Sequence, residues 1–233
     1  MIKVSVVIPV YNEALTVEEL INKVRAVPFG AIAKEIIIVD DCSTDSTREK
    51  LKQFAAFNEI KIVLHQKNRG KGACLKTGFA HASGNFIIIQ DADLEYNPAE
   101  YPLLLAPLLN NSADIVYGSR FLKTSGNKSF YTAHYLANKF LTLLSNLFTR
   151  LKLTDVETCY KAFRKEVLNK INLREDRFGF EPEFTAKAAK QKFRISEVGI
   201  SYFGRAYNKG KKIGFQDGLD AIGCILKYNL LRE

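Results

Sequence analysis

Up to residue 119 the chain alternates short β-branched runs with amphipathic stretches, and that alternation limits the possible folds more than any other feature. Strand-like runs occupy residues 4–10, 35–40, 60–64, 85–90 and 114–118; helical patterns occupy 16–27, 46–57, 72–82 and 98–109. Runs such as IIIV and FIII are what strands buried on both faces look like, and the helices between them supply the covering layers. The pattern predicts an α/β fold, a doubly wound, mostly parallel sheet flanked by helices. Ligands of such sheets sit beyond the carboxyl ends of the strands, which is where chemistry is to be sought.

The second half is less regular. Apolar residues at 136, 140, 143, 144, 147 and 151 predict a helix over 131–151 whose oily face reads as core, a membrane-surface role being the lesser reading. A strand at 160–164, a helix at 183–191, a strand at 194–198 and a helix at 215–231 follow. Residues 126–129 look like a mobile loop, and the segment 121–130 is expected to close over a bound ligand. The chain has 233 residues, 47% of them hydrophobic, with no linker or repeat, so it reads as one domain, 1–233.

No apolar run approaches the roughly 18 residues that cross a bilayer, and no signal-type block follows Met1, so a cytoplasmic location is expected. Cys42, Cys74, Cys159 and Cys224 form no C-x-x-C pair and read as reduced thiols. Charge is divided unevenly. Residues 1–120 carry 13 Lys/Arg against 14 Asp/Glu, while residues 121–233 carry 21 against 11. The basic half is expected to face something anionic.

Polar clusters follow four of the strands: PVYNE from Pro9, DDCSTD from Asp40, DADLE from Asp91 and GSR from Gly118. Helix capping explains part of this, but not three acidic clusters on one rim. Asp91 and Asp93, two apart in a segment taken as extended, would face one spot, with Glu95 adding a third oxygen donor. Oxygen ligands without His or Cys suit Mg²⁺ or Mn²⁺, ions that complete their shells with substrate phosphates. A dinucleotide-binding dehydrogenase is disfavoured by the lack of any glycine between Met1 and Phe29. A phosphatase with an aspartate nucleophile typically carries its D-x-D on the first strand, which here ends in PVYNE. The glycines of NRGKGA, from Asn68, fit a phosphate at a helix start and a tight structural turn equally well.

Together VVIPVYNE, EIIIVDDCSTDST, NRGKGACLKTGF, FIIIQDADLEY and GSRF resemble a family 2 glycosyltransferase of the GT-A fold, nearly continuously through the first half. The later TDVETCYKAFR, FGFEPEF and ISYFGRAYNKGKKIG resemble its dolichol-phosphate mannosyltransferase-like branch, whose members move a hexose from a nucleotide sugar to a polyprenyl phosphate. The resemblance implies a nucleotide-binding half, 1–120, and a basic acceptor-side half, 121–233. It places Pro9, Tyr11, Glu13, Val39 and Asp41 against the nucleotide, and Asp91, Ala92 and Asp93 against the diphosphate and metal. Glu95 stands where many relatives have Gln. Arg120, Arg205 and Lys211 match basic positions near the donor diphosphate, and Asp93 and Arg120 are the implied catalytic residues.

Relatives that glycosylate hydroxyls carry an acidic base. Here Asp155, Glu157, Glu181 and Glu183 are the nearby candidates, none securely matched. A hydroxyl must lose a proton as it attacks, whereas a phosphate monoester, with its second pKa of about 6, is already ionised. The expected reaction is therefore an inverting, metal-dependent hexosyl transfer from a GDP-mannose or UDP-glucose type donor to a polyprenyl phosphate. It would take place at the cytosolic membrane face, through peripheral contact or an anchoring partner. Transfer to a hydroxyl of a glycan or glycolipid is the alternative. A basic nucleic-acid-binding protein is disfavoured, because no stacking aromatics interleave the cations.

Overall fold

The computed structural model describes residues 1–122, 132–204 and 215–230. The expected loop at 126–129, most of the segment 121–130, and both Arg205 and Lys211 lie outside the described residues. Seven described strands form one sheet: β1 (Lys3–Val10), β2 (Ala33–Asp40), β3 (Ile60–Leu64), β4 (Phe86–Ile89), β5 (Ile115–Ser119), β6 (Lys161–Arg164) and β7 (Ile195–Gly199). Their order is β3-β2-β1-β4-β6-β5-β7. β1 runs parallel to β2 and β4, β2 to β3 and β5 to β7, while β6 is antiparallel between β4 and β5. The chain winds outward from β1 to β3, then returns to lay β4 on the other side of β1. That reversal opens a crevice beyond the carboxyl ends of β1 and β4.

The flanking helices are α1 (Val17–Ala26), α2 (Thr47–Lys52), α3 (Lys71–His81), α4 (Tyr101–Leu109), α5 (Thr132–Thr149), α6 (Phe180–Lys190) and α7 (Phe215–Leu230). α1 shows why such stretches are helical. Val17, Leu20, Ile21 and Val24 share its buried side, Glu18 and Glu19 lie in its first turn and Lys23 and Arg25 in its last, matching the helix dipole. Each such fully buried side chain contributes about 1.5–3 kcal/mol. One core cluster runs from Val4 through the whole sheet to Tyr202.

Several boundaries move. The single helix expected over 46–57 tightens after Lys52 into a 3₁₀ turn, Gln53–Ala56, and Pro98–Glu100 is also 3₁₀, with the Asn97 side chain accepting from Ala99 N. α6 begins three residues earlier than the pattern indicates, because Pro182 falls in its first turn, where no N–H is missed. The largest change concerns α5. Leu136, Phe140, Leu143 and Leu147, expected in the core, are exposed.

Candidate active site

The segments that follow the strands close around a cavity of about 350 Å³. Pro9, Tyr11 and Glu13 line it from the end of β1, Asp41 from β2, Asn68, Gly70, Lys71 and Cys74 from the start of α3, and Asp91, Ala92, Asp93 and Glu95 from the end of β4. Arg177, Phe178 and Tyr202 complete it from the second half. Local geometry explains the convergence. The β1 loop is tied to the β2 loop by bonds from Asn12 N to Ser43 Oγ (2.9 Å), from Glu13 N to Thr47 Oγ1 (2.9 Å) and from Thr44 N to Asn12 Oδ1 (2.8 Å). Much of DDCSTDST therefore serves as scaffolding for PVYNE.

Beyond Ile89 the backbone is not extended as expected but turns, with Leu94 at φ 63°. Asp91, Asp93 and Glu95 reach one cavity through that turn and not through strand alternation, while Ala92 packs beneath them at 4% exposure. Each carboxylate is held differently. Lys71 Nζ lies 3.0 Å from Asp91 Oδ1 and 3.0 Å from Glu181 Oε1. Burial pulls the Lys71 ammonium down, but Asp91, Cys159 and Glu181 outweigh it and raise it above the usual lysine value. Asp93 Oδ1 accepts from Glu95 N at 3.1 Å, and Glu95 Oε2 accepts from the Tyr202 hydroxyl at 2.6 Å. Burial, then Glu95's charge, raises the Tyr202 phenol, so the hydroxyl remains a donor.

This all-oxygen set fits a hard divalent ion. Asp91, which Lys71 also holds, and Asp93 and Glu95 all line the cavity, and these carboxylates could hold Mg²⁺ or Mn²⁺. A second cluster has softer chemistry: Asp41, His65 and Cys74 bring an oxygen, a nitrogen and a sulfur within 4.8 Å of one another. Its lone pairs are committed to the protein. Asp41 accepts from Arg69 N, from Gly70 N at 2.6 Å and pairs with His65 Nδ1 at 2.8 Å, while His65 Nε2 meets Thr77 Oγ1 at 2.9 Å. Burial and the Asp41 charge raise the Cys74 thiol, which stays protonated.

Other expectations fare differently. The N–H groups of Arg69 and Gly70 go to Asp41, and Ala73 N donates to Asp176 O at 2.9 Å, so those donors of the glycine-rich start of α3 serve the protein itself. Val39 does not line the cavity; its side chain is fully buried in β2. Arg120 does not line it either. Its guanidinium forms a two-bond pair with Asp155, Nε to Oδ2 and Nη2 to Oδ1 both at 2.7 Å, beside the Tyr202 ring. Sequence reasoning missed Lys71, quoted only for its glycine neighbours, and Arg177, which precedes the motif beginning at Phe178.

The base candidates are accounted for as well. Asp155 holds Arg120; Glu183 accepts from Arg174 N, Glu175 N and Lys187 Nζ; Glu181 pairs with Lys71. Glu157 differs. Its Oε1 is sealed from solvent with no hydrogen-bond partner among the described residues, and burial first, then the Glu181 charge, raises its carboxyl to about 7. None of the four lines the cavity.

Comparison with known proteins agrees with this geometry. The chain is 32% identical over 218 residues to a dolichol-phosphate mannosyltransferase of Pyrococcus furiosus, covering 91% of this chain and 60% of that protein. It is 33% identical over 214 residues to an undecaprenyl-phosphate 4-deoxy-4-formamido-L-arabinose transferase of Salmonella paratyphi A, covering 90% and 62%. It thus spans about three fifths of these curated relatives. The fold is shared with glucosyl-3-phosphoglycerate synthase of Mycobacterium tuberculosis, solved with Mn²⁺, UDP and phosphoglyceric acid: TM-score 0.76, 20% identity, 99% of this chain and 80% of that one. The profile of Glycosyl transferase family 2 matches residues 5–171, across β1 to β6 and every carboxylate at the cavity, and the chain belongs to that family.

Proposed function

We propose that the chain transfers a hexose, with inversion, from a nucleotide sugar to a polyprenyl phosphate. The observation that carries this reading is a cavity rimmed by Asp91, Asp93 and Glu95 into which none of the four base candidates opens. An acceptor that arrives already ionised fits such a site, since it needs no proton removed. The names of the two sequence relatives, both polyprenyl-phosphate sugar transferases, support the same acceptor class. A donor of GDP-mannose or UDP-glucose type is in keeping with the UDP held by the structural neighbour.

Asp93 and Glu95 would hold a divalent ion, which would supply charge neutralisation to the departing nucleoside diphosphate. The chain's own residues do the rest. Lys71 fixes Asp91 and Tyr202 fixes Glu95, so the carboxylates are set before substrate enters. Arg177 adds a cation on the second-half side of the cavity, where two anionic groups must approach one another. The lipid phosphates in both relatives' names support a reaction at the cytosolic membrane face.

Transfer to a hydroxyl is the second reading. It would need a general base within reach of the acceptor, for which Glu157, its carboxyl raised by burial to about 7, has the suitable value but does not line the cavity. A paired acceptor assay decides between them: purified protein, each nucleotide hexose and Mn²⁺, with a short polyprenyl phosphate or the matching free polyprenol. Product is expected from the phosphate alone. Transfer to the alcohol or to a free glycan, but not to the phosphate, would replace the first reading by the second.

A further inference from the structure

Seven charged side chains of the described residues line the cavity, and five of them are acids: Glu13, Asp41, Asp91, Asp93 and Glu95. The two cations differ. Lys71 lies 3.0 Å from Asp91 and 3.0 Å from Glu181, so carboxylates meet its charge on two sides. Arg177 makes no hydrogen bond, ion pair or ring contact with any described residue. Its guanidinium is charged at every working pH, and all of its N–H donors are open to a ligand.

The backbone that carries this side chain is held from three directions. From α6, the Glu183 carboxylate accepts from Arg174 N at 2.7 Å and from Glu175 N at 2.8 Å. From α3, Ala73 N donates to Asp176 O, while Lys76 pairs with the Asp176 carboxylate at 2.6 Å and donates to Arg174 O at 2.8 Å. From α7, Lys227 lies 2.8 Å from the Glu175 carboxylate. Gly70 completes the mounting. It has φ 99°, and a Cβ there would stand 2.7 Å from Arg177 Cγ, so the arginine stem crosses α3 where no side chain stands. The glycine before α3 thus seats an arginine whose head the protein leaves unused.

A cavity rich in carboxylates attracts a divalent ion and repels any further anion. An ion at the carboxylates would answer the donor's diphosphate, but a phosphate acceptor brings more negative charge to the same place. A guanidinium fits that need, because its planar fork gives two parallel N–H donors to phosphate oxygens. Phe178 lines the cavity next to Arg177, so this wall offers a cation and an apolar ring, the complement of a phosphate carried on a hydrocarbon chain. We infer that Arg177 grips the phosphate of the polyprenyl phosphate acceptor, a role that rests on the acceptor reading given above. The two substrates' anionic groups are then held by different parts of the chain, the diphosphate by the first half and the acceptor phosphate by the second.

The test compares the parent with Arg177→Ala and Arg177→Lys, using Mn²⁺, the nucleotide hexose that the parent turns over and a short polyprenyl phosphate. Far-UV circular dichroism and melting temperature of both variants should match the parent, since the Arg177 side chain bonds to no described residue. Arg177→Ala should raise KM for the polyprenyl phosphate by at least about tenfold, the loss of one hydrogen bond to a charged group. Calorimetric titration of the polyprenyl phosphate into protein loaded with Mn²⁺ and nucleoside diphosphate should show the same loss without turnover. Binding of GDP and UDP should not change. Arg177→Lys, which keeps the charge but not the fork, should fall between the two. An acceptor KM that is unchanged in Arg177→Ala overturns the inference and leaves the phosphate acceptor standing. Nucleotide binding weakened as much as acceptor binding also overturns it, and would assign Arg177 to the donor's diphosphate. Transfer by the parent to the free polyprenol but not to the phosphate removes the acceptor reading and this role together.

Discussion

At the scale of single residues, the acids and hydroxyls gathered on one rim divide into those that build the site and those that face it. Asp155 belongs to the builders. It is fully buried, and it takes two side-chain bonds and one backbone bond from Arg120. Asp155→Ala would take the two-bond carboxylate away from a buried guanidinium, and denaturant unfolding should show a loss of about 3–5 kcal/mol; a loss under about 1 kcal/mol would mean that the pair contributes little to the fold. Glu157 should set a pH dependence. Its carboxyl is raised from 4.5 to about 7, so as pH rises across that interval the unfolded chain releases a proton that the folded chain still holds. Stability from this group is therefore full below pH 4.5, falls as pH rises and is wholly lost above about 7. Glu157→Gln should raise the melting temperature relative to the parent more at pH 8 than at pH 5, and an equal difference at both would contradict the raised value. Sequence spacing located Asp91, Asp93 and Glu95 because one short turn carries them. It could not locate Lys71 between Asp91 and Glu181, whose partners are 20 and 110 positions apart in the chain and meet only through the fold.

At the scale of elements, periodicity in the first half was readable to within two residues at every strand end, because strands covered on both faces must be apolar throughout. It misled where burial and hydrophobicity part company. The spacing of Leu136, Phe140, Leu143 and Leu147 is that of a core face, and only the position of α6 and α7 on the other side of α5 reveals it as an outer one. The start of α3 left function and structure evenly matched, and the structure shows a close approach. A Cβ at Gly72 would strike the Glu175 carbonyl oxygen and lie 3.1 Å from Arg177 O. Helix propensity alone predicts that Gly72→Ala stabilises by roughly 0.5–1 kcal/mol, whereas overpacking against backbone costs about 1–3 kcal/mol. Thermal unfolding should show the variant to be less stable than the parent; a gain would mean that the 175–177 segment yields easily.

At the scale of the molecule, the two halves divide the work. β1, β2 and β4 bring the carboxylates to the point where the strand order reverses, and the second half closes the cavity with Arg177, Phe178 and Tyr202. The fold class could be read from the first half alone. The antiparallel insertion of β6 between β4 and β5 could not, since a four-residue strand carries no signal of its direction. The central claim is that this cavity holds a nucleoside diphosphate through a divalent ion at Asp93 and Glu95. Calorimetric titration of GDP and UDP, with Mn²⁺ and with a chelator, into the parent and into Asp93→Ala tests it most directly. Mn²⁺ should strengthen binding of at least one nucleotide to the parent by about 10²-fold or more, which corresponds to about 2.8 kcal/mol at 25 °C. Asp93→Ala should lose that gain and keep its melting temperature, because the residue stands on the rim and not in the core. Binding that is equally tight with the chelator, or unchanged in Asp93→Ala, would contradict the claim.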